Sequence, residues 1–419
     1  MNGAADKVAI VSGSGLCFRF LDSPNPAILS GAVSDRRVSR TRARCGGDFK
    51  QSVQAPVARS LLGWQNVEDR LSAMVESIRD AVSVARDDSE IAHRLACLAE
   101  HWFERGAKLS ALEQLSGGAS QETWSFDVDA RGSLRPLILR RNPVGVVKHD
   151  MVAGMETEAR LIRLAEQAGA PVPRVVHVLS PEEGLGSGFV MERIEGESLA
   201  RKLLRDPQYA IARTRMAFQI GAAAARIHQI DPARAGELRR ATIRSSLDDA
   251  TALYRTNGKR RPMVEWALRW LEANRPASDP VPTVVHGDLR TGNFIAGPEG
   301  LRAVLDWELV HLGDPMEDLG WACVASWRFG NLDQPAGGFG SREQLFAGYE
   351  SIGGSSVEAA RVQFWEVLGT VRWGLMCAMM ANDFRAGDRS VERAAIGRRA
   401  SETEIDLLAL LAPKDRLHA

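Results

Sequence analysis

Three polar residues between positions 284 and 306 have the types and spacing that phosphoryl transfer needs. Asp288 and Asn293 lie five positions apart, as in the HxDxxxxN loop of enzymes that move a phosphoryl group. Asp306 follows a short apolar run, so that a strand could place it beside Asn293. A loop aspartate can orient an acceptor hydroxyl, while amide and carboxylate oxygens suit Mg²⁺, a hard cation. A turn with an Asx cap would explain the sequence from His286 to Asp288, but not the three residues together.

A strand-rich segment begins near residue 107 and could hold a nucleotide over these residues. Strand patterns at 112–115 and 123–128 flank a small turn that contains Gly117, Gly118 and Ser120. Glycine lets backbone N–H groups approach phosphates closely, so such a turn can cover a nucleotide. On its own, the turn indicates no more than a hairpin.

The next strand, at 137–141, ends in Arg140 and Arg141, and a helical pattern with Glu156 and Glu158 follows. Hairpin, strand with terminal cation, acidic helix and further strands are the order of a kinase N-lobe, where a helix carboxylate holds the cation that meets the phosphates. Strand alternation turns the two arginines to opposite faces. The alternative is a surface arginine pair and a solvated helix face. The sequence has no GxxxxGK[ST] loop, which excludes an ordinary P-loop site.

The composition is that of an ordinary globular protein and narrows the classes of partner. The 419 residues allow two or three compact units, and no apolar stretch is long enough for a membrane span. Lys+Arg and Asp+Glu both number 53, which gives no electrostatic reason to expect nucleic acid or an anionic membrane as partner. Five scattered cysteines without a CxxC pair favour a reducing, cytoplasmic location over a disulfide framework or a zinc site.

The first hundred residues carry no motif that points to chemistry. Residues 1–57 include two prolines and a basic tract at 36–44, and we expect a disordered tail there. Residues 58–106 carry two helical patterns, at 67–82 and 91–103, which predict a helical extension. Its apolar stripes need a partner surface, either the following domain or a second subunit in a homodimer.

Residues 286–293 (HGDLRTGN), with the apolar strand and Asp306 that follow, resemble the core motif of the aminoglycoside phosphotransferase-like family. More narrowly, residues 305–308, 313–319 and 395–408 resemble the kinase-like domains associated with acyl-CoA dehydrogenases. The resemblance covers residues 107–412. It implies a bilobal, protein-kinase-like fold of the α/β (α+β) class, with a small β-rich N-lobe at 107–195 that binds the nucleotide and a larger, helical, catalytic C-lobe at 196–419.

The resemblance also implies roles for individual residues. Asp288 would be the catalytic aspartate and His286 would brace its loop, while Asp318 and His228 would be structural. Asn293 and Asp306 would bind Mg²⁺. We expect Arg140 rather than Arg141 to be the strand cation, because Ile138 then lines the adenine pocket, and residues 189–194 would be the hinge. The residues implied to contact ATP are Gly117, Gly118, Ser120, Arg140, Glu158, Glu192 and Ile194.

The resulting prediction is an ATP- and Mg²⁺-dependent phosphotransferase that acts on a hydroxyl of a small molecule. The association with acyl-CoA dehydrogenases points to a hydroxyacyl acceptor and to such a dehydrogenase as a pathway partner. One alternative is a nucleotide-binding pseudokinase that acts as an interaction module, although a scaffold has no need of Asp288, Asn293 and Asp306 together. The other is an aminoglycoside kinase, which would need an acidic pocket for its polycationic substrate.

Overall fold

The computed structural model describes residues 89–117, 121–143, 152–257, 259–353, 356–387 and 390–412. The described residues from Arg94 onward belong to one compact unit. The tail expected at 1–57 and the helical pattern at 67–82 lie outside the described residues. Residues 89–102 are helical and form α1, as the apolar spacing at 91–103 predicts.

Five antiparallel strands form one sheet in the order β1-β2-β3-β5-β4. The central strand, β3, is buried on both faces at Leu137, Ile138 and Leu139, which explains its continuous apolar run. The predicted order of hairpin, strand, helix and further strands is confirmed. The strands are β1 (Lys108–Gly117), β2 (Glu122–Ala130), β3 (Ser133–Asn142), β4 (Val175–Val178) and β5 (Ser187–Glu192).

Helix α2 (Met155–Gln167) connects β3 to β4 and packs against the sheet. Its apolar residues recur at helical spacing, and the face that they form is buried. Glu158 lies on this buried face and is fully enclosed. A carboxylate in such a place needs a cationic partner, because an isolated buried charge is costly.

The rest of the unit is mainly helical, with α10 at its centre. Helix α10 has buried residues on all of its sides and contacts α6, α7, α8, α11 and α12. None of the helices in the described ranges is both long and apolar enough to cross a membrane. The helices are α3 (Ala200–Arg205), α4 (Ala210–His228), α5 (Pro232–Ala235), α6 (Ile243–Thr256), α7 (Pro262–Ala273), α8 (Met316–Cys323), α9 (Arg342–Glu350), α10 (Ala359–Arg385), α11 (Val391–Gly397) and α12 (Glu402–Leu411).

Two short antiparallel strand pairs lie between α7 and α8 in the chain. Strand β6 (Thr283–Val285) pairs with β9 (His311–Gly313), and β7 (Phe294–Gly297) pairs with β8 (Gly300–Val304). The strands of both pairs are largely buried. They carry the motif residues on the segments that join them.

Candidate active site

The segment between β6 and β7 carries Asp288 and Asn293. Pairing with β9 and β8 fixes its two ends. Gly287 turns the chain with a φ of 81°, and a Cβ at this position would lie 2.4 Å from the carbonyl oxygen of Leu309. Glycine is therefore the residue that this turn requires.

Asp318, on α8, holds the start of this segment. Its Oδ2 accepts a hydrogen bond from the backbone N–H of His286 at 2.8 Å, and its Oδ1 accepts one from Gly287 at 2.9 Å. Nε2 of His228 lies 2.9 Å from the same Oδ2, and Nδ1 of His228 lies 3.0 Å from the Tyr349 hydroxyl. Burial alone would raise the pKa of Asp318, but the contacts with His228 and the segment lower it below its ordinary value. These contacts are the ones expected of structural residues.

The Asp288 carboxylate accepts hydrogen bonds at both oxygens. Oδ1 accepts from Nε of Arg290 at 2.9 Å and from the indole Nε1 of Trp321 at 2.8 Å. Oδ2 accepts from Nδ2 of Asn293 at 2.7 Å. The carboxylate is nearly buried, so these three bonds fix its orientation.

His286 contacts Asp288 through the backbone. Its Nδ1 accepts a hydrogen bond from the Asp288 N–H at 3.2 Å, and its ring meets the edge of Trp307 with 4.9 Å between the centroids. Burial lowers the pKa of His286, in keeping with a neutral ring whose Nδ1 is an acceptor. The geometry suits a bracing residue rather than a base.

The β7–β8 hairpin returns the chain to Asn293 and so brings Asp306 into the site. Phe294 pairs with Val304, and the N–H of Leu305 donates to the carbonyl oxygen of Asn293 at 2.8 Å. Asp306 follows with a φ of 69°, in the left-handed region that aspartate enters more readily than most residues. The two side chains predicted to bind Mg²⁺ are thus on neighbouring backbone segments.

The structure brings Arg140, and not Arg141, to this place. Nη2 of Arg140 donates to Oδ1 of Asp306 at 3.2 Å and lies 3.7 Å from Oε2 of Glu158. Arg141 pairs instead with Glu122 at 2.8 Å. Burial alone would lower the pKa of Arg140, but the carboxylates around it, Glu158 foremost, raise it above its ordinary value.

Glu308 adds a third carboxylate to the surroundings of Arg140. Burial raises the pKa of Glu308 well above its ordinary value, and the charges of Asp306 and Glu158 raise it further. Three buried carboxylates thus surround one guanidinium. A raised pKa favours the neutral form of Glu308, which reduces the repulsion among these three carboxyl groups.

The donor atoms of Asn293 and Asp306 fit Mg²⁺. Nδ2 of Asn293 donates to Asp288, and no donor among the residues that the structure describes meets its oxygen, Oδ1. One amide oxygen and one carboxylate suit a cation that takes water and phosphate oxygens as its other ligands. The described ranges contain no cluster of three or more His, Cys, Asp or Glu side chains that could hold a metal ion.

Of the turn residues predicted to contact phosphates, the structure describes one. Gly117 is the last residue of β1 and pairs with Glu122 of β2. Gly118 and Ser120 lie outside the described residues. The turn therefore remains a prediction.

The two hinge residues implied to contact the nucleotide differ in their surroundings. Ile194 packs against Ile295, Ala303 and Leu305, on the strands that lead to Asn293 and Asp306. Glu192 ends β5 and accepts from Nε of Arg174 at 3.0 Å on the exposed side of the sheet. The structure therefore brings Ile194, but not the Glu192 carboxylate, towards the cluster.

Two residues that contact Asp288 were not assigned a site role from the sequence. Arg290 lies within the motif, and its guanidinium stacks over the Trp327 ring at 4.6 Å from the centroid. Trp321 lies on α8, and its indole N–H donates to Asp288, a contact that the sequence analysis does not include.

Comparison with known families identifies the chain. Residues 111–354, more than half of the sequence, match the family model described as the APH phosphotransferase enzyme family. The chain belongs to this family. The family resemblance stated from the motif is confirmed.

The fold is similar to those of solved phosphotransferases. A putative aminoglycoside phosphotransferase from Ralstonia eutropha JMP134 aligns with a TM-score of 0.60 and 22% identity, over 76% of this chain and 97% of that one. Spectinomycin phosphotransferase, in a complex with ADP and spectinomycin, aligns with a TM-score of 0.53 and 14% identity, over 76% and 98%. The predicted protein-kinase-like fold is confirmed.

The similar curated proteins are longer. Acyl-CoA dehydrogenase family member 10 of Mus musculus is 31% identical over 230 residues, which are 51% of this chain and 20% of that protein. Probable acyl-CoA dehydrogenase IBR3 of Arabidopsis thaliana is 27% identical over 259 residues, which are 58% of this chain and 31% of that protein. The chain thus spans between a fifth and a third of the length of these relatives.

Proposed function

We propose that this protein is an ATP- and Mg²⁺-dependent phosphotransferase that moves the γ-phosphoryl group of ATP to a hydroxyl of a small molecule. The observation that carries the proposal is the arrangement of Asp288, Asn293 and Asp306. The Asp288 carboxylate is bonded to the Asn293 amide, and the hairpin places Asp306 beside the Asn293 backbone. A carboxylate for the acceptor beside an amide and a second carboxylate for a metal is the donor set that phosphoryl transfer needs.

In this reaction Asp288 orients the acceptor hydroxyl and takes its proton as the hydroxyl oxygen bonds to the γ-phosphorus. The bond from that phosphorus to the bridging oxygen breaks, and ADP leaves with the oxygen. When bound through Asn293 and Asp306, Mg²⁺ supplies charge neutralisation at the phosphate oxygens. The transition state is loose, so a well-oriented carboxylate contributes mainly by positioning. The three hydrogen bonds to Asp288 supply that orientation.

On the nucleotide side, Arg140 would contact the phosphates. Its planar fork can grip phosphate oxygens in two places, and Glu158 lies close enough to hold it. As part of the same proposal, residues 107–195 form the nucleotide-binding lobe and residues 196–419 the catalytic lobe. The strands that carry Arg140 and Ile194 would then cover the nucleotide.

A hydroxyacyl compound is the acceptor that we propose. A polycation would need accessible carboxylates, yet Glu317 is buried between His311 at 3.2 Å and Arg372 at 2.9 Å, and Glu308 is buried near Arg140. The curated relatives are named as acyl-CoA dehydrogenases, which is our reason for proposing an acyl compound. A dehydrogenase as pathway partner is part of the same proposal. The alternative aminoglycoside acceptor is less consistent with these carboxylates.

The test is Asp288→Asn, which keeps the shape of the side chain and removes its charge. We expect phosphoryl transfer to fall by about 10²- to 10⁴-fold while Mg-ATP still binds, because Asp288 addresses the acceptor. Acceptors would be found by measuring ADP release over a panel of hydroxylated metabolites, with kanamycin included. Asp248→Asn is the control, since Asp248 lies in an exposed pair with Arg244 on α6. Nucleotide binding without turnover on any acceptor would favour the pseudokinase, and normal turnover by the variant would refute the role of Asp288.

A further inference from the structure

A groove of about 730 Å³ opens beside the segment between β6 and β7, which carries Asp288 and Asn293. Its lining includes Arg290 and Gly292, together with residues of α3 and its neighbours. Arg290 also donates to Asp288 at 2.9 Å, so one residue of the groove lining contacts the proposed catalytic carboxylate. A molecule in the groove would therefore have one end near Asp288.

The groove is strongly cationic. Its charged lining consists of four cations, Arg201, Lys202, Arg205 and Arg290, and one carboxylate, Asp206. Such an excess inside a concave site attracts anions, since the walls concentrate the field.

Two of these cations are available to a ligand. Lys202 pairs with Glu197 at 2.9 Å, whereas the side chains of Arg201 and Arg205 are exposed and form no ion pair or hydrogen bond with another residue that the structure describes. They lie four positions apart on α3, which places them on the same helix face, about 6 Å apart along the axis. This spacing suits one anionic group held by both guanidinium groups or two adjacent phosphates.

The groove also has apolar side chains at its edge. Leu199 is 36% exposed and Phe329 is 42% exposed. Phe329 has a φ of 46°, in a region that bulky residues rarely adopt. An exposed aromatic held in an unfavourable backbone conformation is typical of a functional surface rather than of packing.

From these observations we infer that the groove is the acceptor-binding subsite, and that the acceptor is an anion. Arg201 and Arg205 bind its carboxylate or phosphate group, Leu199 and Phe329 contact its apolar part, and its hydroxyl reaches Asp288. The inference rests on the proposed phosphotransferase function. It adds the charge of the substrate and the residues that recognise it.

The test is equilibrium binding to the full chain with Mg-AMP-PNP at saturation, so that the nucleotide site is occupied and the probes cannot bind there. The probes are 3-hydroxyhexanoate, 3-hydroxyhexanoyl-CoA and the neutral 1,3-hexanediol. We expect Arg201→Gln combined with Arg205→Gln to weaken binding of the anionic probe by about tenfold or more and to leave binding of the diol unchanged. Arg255→Gln combined with Arg269→Gln is the matched control, because these exposed helical arginines lie outside the groove.

The outcomes separate the two sources of negative charge. A loss confined to the thioester assigns the arginines to the phosphates of coenzyme A, and a loss for the free acid as well assigns them to a carboxylate. The inference is overturned if the double variant and the control bind the anionic probes equally well. It is also overturned if the wild type binds the diol more tightly than the anions, or if the double variant no longer binds AMP-PNP. Anion binding that persists in a protein without ATP turnover would refute the proposed function and leave the subsite standing.

Discussion

Asp318→Asn tests whether one buried carboxylate holds the segment between β6 and β7, which carries Asp288, in place. Asp318 is fully buried, and its two oxygens receive the N–H groups of His286 and Gly287 together with Nε2 of His228. An asparagine has one oxygen and one NH₂ group in the same volume. Whichever way it is turned, a donor must face at least one N–H of the segment.

The cost follows from those contacts. In the better orientation the asparagine oxygen takes the place of Oδ2 and keeps two bonds, while its NH₂ group faces the N–H of Gly287, which now lies 2.9 Å from a donor. The bond from this N–H to a charged acceptor is lost, which costs about 1.5–3 kcal/mol. We therefore expect a loss of about 1.5–3 kcal/mol in the free energy of unfolding. Because the backbone between His286 and Asp288 shifts, kcat should fall as well.

Urea unfolding followed by circular dichroism measures the stability, and ADP release measures the turnover. Asp248→Asn makes the same chemical change in an exposed pair with Arg244, where about 1 kcal/mol or less is expected. If Asp318→Asn were no more destabilising than Asp248→Asn, the bracing described here would be wrong. A destabilised variant with unchanged kcat would show that Asp318 stabilises the fold without positioning Asp288.

Two further predictions concern charge. Asp306→Asn should weaken binding of Mg-AMP-PNP, because a charged ligand of the cation becomes neutral. If the affinity falls tenfold, a thermal-shift titration should show that saturating nucleotide stabilises the variant by about 1.4 kcal/mol less than the wild type. An unchanged shift would mean that Asp306 does not bind the metal. Glu317 is buried, yet His311 and Arg372 lower its pKa from 4.5 to about 2, so the stability that it contributes is complete above pH 4.5 and is lost as the pH falls towards 2. Glu317→Gln should flatten this part of the curve of unfolding free energy against pH, and an unchanged slope would contradict the assignment.

The sequence was most informative where short spacing and strand order determine geometry. The interval from Asp288 to Asn293 and the apolar run before Asp306 predicted one site, and the β7–β8 hairpin brings the two ends together. Strand alternation turns Arg140 and Arg141 to opposite faces of the sheet, so only one of them can be the cation that meets the phosphates. The one that reaches Asp306 is Arg140. These inferences depend only on local periodicity.

Contacts between distant segments could not be predicted in the same way. Trp321 reaches Asp288 because α8 packs beneath the catalytic segment, and the sequence pattern gives only its apolar character. The spacing of Arg201 and Arg205 in the sequence is that of exposed residues on an ordinary solvated helix. Only the structure shows that both line the same groove. The turn after β1 is a different case, because Gly118 and Ser120 lie outside the described residues.

The left-handed backbone at Asp306 limits how a protein of this kind could lose catalysis during evolution. At a φ of 69°, glycine, asparagine and aspartate are accommodated, while other residues incur a strain of about 1–2 kcal/mol. A lineage that drifts from enzyme to scaffold would therefore reach asparagine or glycine at this position more easily than alanine or valine, which would lose activity and stability in one step. Asparagine or glycine at the equivalent position of a related chain would mark a scaffold, and retained aspartate would mark selection for the metal.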